Sequence, residues 1–259
     1  MQVWEYALAA VAALVGGMMN ALVGGGTLIT FPMLVALGVP PVSANMTNTV
    51  ALCPGYFGGT WAQREGLKGQ RHRLPTLLLS GALGGLAGAL LLRLTSDDGL
   101  RMAVPALLGV ATLLLALQPR LRGWLGRHAA TAERPDAVWL APVIALTAVY
   151  GGFFGAGLGV MLLAVLGIGV HEPLNRSNVL KQLLSVVINV VAALFFVFSS
   201  PGSDNRVWWG LVAVMAVGSL LGGSLGGRMA DRLNPEKFRV VVVLVGAGVA
   251  ITYAVRVWL

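Results

Sequence analysis

Two glycine-rich breaks, each set within a long apolar segment, carry the residues best suited to bind a ligand. The first break reads Asn20-Ala-Leu-Val-Gly-Gly-Gly-Thr27, and the second reads Gly151-Gly-Phe-Phe-Gly-Ala-Gly-Leu158. Each lies within a hydrophobic stretch of about 33 residues. At about 1.5 Å per residue, a continuous helix of that length would exceed a hydrocarbon core that is about 30 Å thick. We therefore predict, at each break, two short helices that meet at a turn inside the membrane.

Helices that begin at Thr27 and Leu158 would direct unpaired backbone N–H groups and the positive ends of their dipoles towards the bilayer centre. Two such helix ends, approaching from opposite faces, form a binding site for an anion. Asn20 and Thr27 could add side-chain donors, although an interhelical hydrogen bond and an ordinary N-cap are the alternative roles. The backbone groups predicted to bind the anion belong to Gly25, Gly26, Thr27, Gly157 and Leu158.

A polar stretch after the second break adds the charge that an anion site needs. It reads Arg176-Ser-Asn-Val-Leu-Lys-Gln182, and its Ser177 and Lys181, four residues apart, lie on one helical face. Lys181 lies inside the apolar segment, where a lysine is a candidate counter-charge for an anion. The alternative is that its long side chain extends to the cytoplasmic surface. The side chains predicted to complete the site are Asn20, Thr47, Asn48, Ser177, Asn178 and Lys181.

The composition is that of an integral membrane protein. Hydrophobic residues make up 57% of the chain and charged residues 11%, with a mean hydropathy of +0.81. A soluble domain carries about 25% charged residues, so we predict an all-α membrane protein. The net charge of +8 arises from basic residues in short loops without interleaved aromatic residues, which indicates membrane orientation rather than nucleic-acid binding.

The distribution of the other chemically active side chains limits the mechanism. All ten carboxylates and all three histidines lie in predicted loops or at helix ends, which does not support a proton relay through the membrane. The sequence contains no cluster of metal ligands, and we expect neither a metal nor a cofactor. Ser177 and Lys181 could in principle act as a nucleophile and its base, but no other feature supports a hydrolase, and we expect no enzyme activity.

Basic residues in the loops orient the predicted segments. Thirteen Lys and Arg side chains fall on one side of the predicted topology and four on the other, and the richer side is cytoplasmic by the positive-inside rule. Each half of the chain is then one re-entrant hairpin followed by three spanning helices, with the second half inverted and both termini outside. The first repeat (1–118) contains the hairpin 4–38 and the spans 44–63, 74–93 and 100–118. A cytoplasmic linker, 119–137, follows. The second repeat (138–259) contains the hairpin 138–170 and the spans 174–199, 207–227 and 237–258. A bundle of eight or ten simple helices is the alternative.

Matching residues in the two halves support an internal repeat. Thr47-Asn48 aligns with Ser177-Asn178, and Gly84-Gly85-x-x-Gly88 aligns with Gly222-Gly223-x-x-Gly226. Inverted repeats with interrupted helices are typical of transporters that bind their substrate at the membrane midplane. The glycine faces themselves are expected to let helix backbones pack closely.

The pattern from Asn20 to Thr27, with Pro32, the run Leu37-Gly-Val-Pro40 and Thr47-Asn48 beyond it, resembles the TauE/SafE sulfite-exporter family of bacterial membrane permeases. The similarity spans the whole chain, including its length, its glycine-rich start and its duplicated halves. The resemblance implies transport of small sulfur-containing anions or organic acids, such as sulfite, sulfoacetate or thiosulfate, across the bacterial inner membrane.

We therefore predict a permease that moves a small anion by alternating access about the two hairpin tips. A channel-like pore, with the tips as a filter, and a membrane protein with a purely structural or assembly role are the alternatives. The expected partners are the anionic substrate and the lipid bilayer, and not nucleic acid. The sequence leaves open whether the chain forms a homo-oligomer.

Overall fold

The computed structural model describes residues 2–128, 137–170, 172–199, 205–229 and 235–258. Over these residues the chain is helical and contains no strand, which confirms the predicted all-α class. The helices are α1 (Val3–Leu22), α2 (Thr27–Ala36), α3 (Pro41–Ala62), α4 (Leu74–Leu94), α5 (Asp97–His128), α6 (Leu140–Phe153), α7 (Leu158–Gly169), α8 (Leu174–Ser199), α9 (Trp209–Arg228) and α10 (Pro235–Trp258), with a short 3₁₀ turn at Arg64–Leu67.

The two breaks produce helix pairs of unequal length. In the second half, α6 and α7 have 14 and 12 residues, as the prediction of short helices requires. In the first half α2 has 10 residues, but α1 has 20 and is about 30 Å long, enough to cross a membrane. The prediction of a short first helix is therefore wrong for α1. The helix does end within the predicted break, at Leu22, but it begins at Val3, which leaves 20 residues before the turn.

Six of the described helices can cross a membrane by length and apolar composition, namely α1, α4, α5, α8, α9 and α10. The sequence predicts α3 among the spans in place of α1. Although α3 has 22 residues, its buried polar side chains, such as Asn45, Thr47 and Asn48, make it less apolar than these six. Because those side chains face other helices, α3 belongs to the interior of the bundle.

The two halves of the chain exchange packing partners. The first helix of each half packs along the fourth helix of the other half, α1 on α9 and α6 on α4. The third helices, α3 and α8, contact each other and also pack on α9 and α4 respectively, while α5 pairs with α10. The pattern of helix contacts is thus reciprocal between the two halves.

Helix α5 lies behind both breaks. It has 32 residues and continues ten residues beyond the predicted end of that span, because arginine is a good helix former and lets a helix extend past the apolar segment. Residues 129–136 of the predicted linker lie outside the described residues. The face of α5 that includes Ala111, Leu115 and Gln118 is buried and contacts both glycine-rich turns.

Glycines bring the exchanged helices into backbone contact. A Cβ atom added to Gly222 of α9 would lie 1.9 Å from the Leu14 carbonyl oxygen of α1. One added to Gly88 of α4 would lie 2.0 Å from the Val149 carbonyl oxygen of α6. The prediction that these glycine faces allow close helix packing is confirmed.

We expect Gly88→Ala to destabilise the protein, since its methyl group would overlap the Val149 oxygen, and overpacking costs about 1–3 kcal/mol or more. The control Gly109→Ala adds a methyl group where no atom lies within 4 Å, and it should gain up to about 1 kcal/mol of helix propensity. Thermal unfolding of the two purified variants in detergent measures the difference. Equal melting temperatures would contradict this packing.

Candidate functional site

The turns that follow α1 and α6, called tip 1 (residues 23–26) and tip 2 (residues 154–157), contact each other's helices. Gly24 of tip 1 has a φ of +94°, and a Cβ atom added to it would lie 2.8 Å from the Cα atom of Gly159 in the first turn of α7. Reciprocally, Phe154 of tip 2 packs edge-to-face on Phe31 of α2, with ring centroids 5.2 Å apart. Only glycine combines the conformation of Gly24 with so close an approach, so the two breaks meet through their backbones.

The backbone N–H groups at this meeting point differ in whether they already have partners. Helices α2 and α7 begin at the predicted residues, Thr27 and Leu158. The Gly26 N–H group donates to Asn20 Oδ1 at 2.7 Å, and the Leu158 N–H group donates to the Gly155 carbonyl oxygen at 3.2 Å. Both groups belong to the predicted set of anion donors, and both are used within the protein in this conformation. Among the described residues, no partner is found for the N–H groups of Gly25, Thr27 and Gly157, the other members of that set.

Side chains of α5 and α6 occupy one carbonyl oxygen of each tip. Gln118 of α5 donates from Nε2 to the Val23 oxygen at 2.8 Å. Tyr150 of α6 donates from its hydroxyl group to the Ala156 oxygen at 2.6 Å. Protein donors therefore occupy these two carbonyl groups, and N–H groups such as those of Gly25, Thr27 and Gly157 have the polarity that an anion requires.

Lys181 of α8 is buried beside the contact between tip 1 and α7. The residue is 1% exposed, and its Cδ atom lies 3.5 Å from the position that a Cβ atom on Gly159 would take. This burial argues against the alternative in which the side chain extends to the surface. Burying an ammonium group costs free energy that nearby negative charge and hydrogen bonds offset.

Further buried polar atoms lie on α1, α3 and α8. Gln182, next to Lys181, is fully buried, and its Nε2 atom lies 2.9 Å from the Cβ position of Gly59 on α3. Buried polar atoms are nearly always hydrogen-bonded, so a group of unpaired ones indicates a place for water or substrate. Among the described residues, the unpaired atoms in this group include Asn20 Nδ2, Asn48 Oδ1, Ser177 Oγ, both Gln182 side-chain polar atoms and Ser185 Oγ.

The predicted side chains form a column along α3 and α8 and not a ring around one point. Asn178, at the start of α8, donates to Gln63 Oε1, just past the end of α3, at 3.0 Å. Thr47, near the start of α3, accepts a hydrogen bond at 3.0 Å from the backbone N–H group that precedes α9. Thr47 and Gln63 are 16 residues apart, which is about 24 Å along a helix, so one small anion cannot contact both ends. Asn20 and Lys181 are the predicted side chains that lie at the tips.

The comparison with known proteins agrees with this architecture. The model of the family described as "Sulfite exporter TauE/SafE" matches residues 8–253. The chain belongs to the TauE/SafE family. Its curated relatives include "Probable membrane transporter protein ORF9" of Sinorhizobium sp, which is 29% identical over 96% of this chain and 94% of the relative. "Probable membrane transporter protein YfcA" of Escherichia coli K12 is 27% identical over 91% of this chain and 84% of the relative. The chain is therefore a multi-pass membrane transporter of this family.

In this TauE/SafE protein, contacts cover both ends of the polar column. At the start of α8, Glu172 accepts hydrogen bonds from Arg73 at 3.2 Å and from Arg176 at 2.6 Å. At the other end, the Arg206 N–H group donates to Ser43 Oγ at 3.1 Å. Two cavities, of about 790 Å³ and 320 Å³, lie away from the tips.

Buried polar residues near the tips or the column that are absent from the predicted set include Asn45, Gln118, Gln182 and Ser185. Asn45 donates to the last residue of α6 at 2.7 Å, and it precedes Asn48 by three residues, the helical spacing of a shared face. That spacing is a signal that could have identified it. Gln118 is the last residue of the predicted span 100–118. No local sequence pattern connects it to Val23 of tip 1, which lies 95 positions earlier in the chain.

We expect Gln118→Leu to loosen tip 1, since the Val23 carbonyl oxygen would be buried without a donor at a cost of about 1–3 kcal/mol. The control Thr112→Val, also on α5, removes a buried hydroxyl group that has no partner among the described residues, and should be neutral or slightly stabilising. Hydrogen–deuterium exchange of residues 22–27, with thermal unfolding, measures the difference. Unchanged exchange in Gln118→Leu would show that this contact does not hold the tip.

Proposed function

We propose that this transporter carries a small anion, which binds where tip 1 meets α7. One observation carries the proposal: Gly159, in the first turn of α7, has Gly24 of tip 1 and the buried side chain of Lys181 within 3.5 Å of its Cβ position, and among the described residues no partner is found for the N–H groups of Thr27 and Gly157 at the two helix starts. Each helix N-terminus supplies positive charge equivalent to about half an elementary charge, and the lysine adds a full charge. A site with this net polarity attracts anions and disfavours cations.

The scarcity of buried negative charge supports an anionic substrate. Over the part of the chain that the structure describes, no aspartate or glutamate is buried. The unpaired buried groups include the donors Asn20 Nδ2, Gln182 Nε2 and the Ser185 hydroxyl, and anions bind to N–H and O–H donors. A cation would need oxygen ligands, and two of the tip oxygens, those of Val23 and Ala156, already accept protein hydrogen bonds.

Within this class, a sulfur oxyanion or an organosulfonate, such as sulfite, thiosulfate or sulfoacetate, suits the site best. Its charged group presents several oxygen atoms in a compact cluster, which matches donors at three separate positions, Gly25, Thr27 and Gly157. The close approach of Gly24 to Gly159 favours a small ligand. Sulfite is also named in the description of the matching family model.

We infer that transport uses alternating access about the tips. The anion would draw the starts of α2 and α7 together, and release to either face would require one of these helices to move with its tip. Both are short, with 10 and 12 residues, and each packs on a helix of the opposite half, α2 on α10 and α7 on α5. Contacts at both ends of the polar column favour a carrier over an open pore. Rocking of one half against the other is the movement that such repeats allow.

We infer from the loop charges that the Lys68 end of the bundle faces the cytoplasm and the Asp98 end faces outside, with both termini outside. The variants Lys68→Cys and Asp98→Cys, each in a Cys53→Ala background, test this orientation, because the native side chains are 78% and 91% exposed. A membrane-impermeant maleimide added to spheroplasts should label Asp98→Cys at once and Lys68→Cys only after lysis. The reverse order would contradict the orientation.

Anion binding to the purified protein tests the substrate class. Sodium sulfite, sulfate, thiosulfate and sulfoacetate are compared, with sodium chloride as the control salt. We expect Lys181→Met, which keeps the apolar stem and removes the charge, to weaken binding of the preferred anion at least about 30-fold, since losing a buried charged contact costs about 2 kcal/mol or more.

Lys68→Met is the matched control for that experiment, because it removes an exposed charge of the same kind and should leave the affinity unchanged. Equal affinity in Lys181→Met and the unaltered protein would exclude the lysine from the site. Failure of every oxyanion and sulfonate to bind would contradict the proposed substrate class.

A further inference from the structure

A groove between α2 and α10 lies apart from the tips. Its volume is about 790 Å³. Residues 32–36 of α2, the connection 38–41, the first turns of α5 and residues 244–257 of α10 line it. Leu244 in its wall is 68% exposed, so the groove opens onto the outer surface of the bundle, where a membrane transporter contacts lipid.

The groove is apolar at one end and positively charged at the other. Pro32 and Leu244 line the apolar end, whereas Arg101 and Arg256 line the charged end. Leu244 and Arg256 are 12 residues apart on α10, which corresponds to about 18 Å. Both guanidinium groups lie close enough to the Tyr253 hydroxyl group to interact with it electrostatically, so the two charges converge on one end of the groove.

Two carboxylates of the described residues lie near this charged end. Asp98 is 3.9 Å from Arg101, and its side chain is 91% exposed, so this ion pair contributes little in water. Asp97 accepts a hydrogen bond from the Val42 N–H group at 2.9 Å, next to Pro41 in the groove wall. Neither carboxylate lines the groove, whereas both guanidinium groups do.

We propose that this groove binds an anionic phospholipid, with an acyl chain along the apolar end and the phosphate beside Arg101 and Arg256. Guanidinium groups bind phosphate through paired N–H donors, and basic pockets between membrane helices bind anionic lipid head groups. A free phosphate would gain nothing from the apolar wall, and a neutral hydrocarbon would gain nothing from the arginines. An anionic lipid uses both ends.

Thermal unfolding of the delipidated protein in a non-ionic detergent tests this binding. Phosphatidylglycerol, phosphatidylcholine with the same acyl chains, and inorganic phosphate are added separately. Phosphatidylglycerol should raise the melting temperature by about 5–10 °C at saturation, phosphatidylcholine by much less, and inorganic phosphate not at all. An equal rise with both lipids, or a full rise with inorganic phosphate alone, would overturn the proposal.

Two kinds of variant separate the charged end from the apolar end. The double variant Arg101→Gln with Arg256→Gln should lose the preference for phosphatidylglycerol, whereas Arg93→Gln, at the end of α4, should keep it. Gly248→Leu fills the groove, since no atom lies within 4 Å of a Cβ atom at that position, and should abolish the response. Gly109→Leu, equally open but outside the groove, is its control.

Retention of the full phosphatidylglycerol response by Gly248→Leu or by the double arginine variant would overturn the proposal. A second copy of the chain is the other occupant to distinguish. If the delipidated protein is a dimer that dissociates in Gly248→Leu, and no lipid changes its melting temperature, the groove is a self-association surface and the lipid proposal fails.

Discussion

The backbone contact between Gly24 and Gly159 is the constraint on which the rest of the structure depends. No side chain separates tip 1 from α7 at this point, so the start of α2 is held close to the start of α7. Asn20, Gln118 and Tyr150 support the arrangement, since each is hydrogen-bonded to a backbone group of a tip. A side chain at either glycine would separate the two helix starts, and their N–H groups could no longer act on one ligand.

The bundle around the tips has the packing that this contact requires. Glycines let α1 approach α9 and α6 approach α4 at backbone distance, and close packing of small residues is a main source of helix association in lipid. Because the halves exchange these partners, each tip follows a helix that is held by the opposite half. A displacement of one half would therefore move the tips relative to each other, which gives the proposed change of access a geometric basis.

The starts of α2 and α7 could be predicted because glycine conformation and segment length are local properties. The partners of the tips could not, since Gln118 reaches tip 1 from 95 positions away, and hydrophobic periodicity does not encode how α5 crosses the breaks. The spread of the predicted polar side chains along α3 and α8 could not be foreseen for a related reason. The four-residue spacing shows that Ser177 and Lys181 share a helix face, but it does not show which residues of α3 lie opposite them. Antiparallel packing of α3 and α8 separates Thr47 from Ser177, although the two occupy matching positions in the repeats.

The position of a bound anion tests the central claim most directly. Selenite has the shape and charge of sulfite, and its selenium atom gives an anomalous X-ray signal. In crystals of the protein grown with selenite, the account predicts an anomalous peak between tip 1 and the first turn of α7, with selenite oxygens about 2.7–3.2 Å from the Thr27 backbone nitrogen and from Lys181 Nζ. A peak elsewhere in the protein, with nothing bound between the tips, would contradict it.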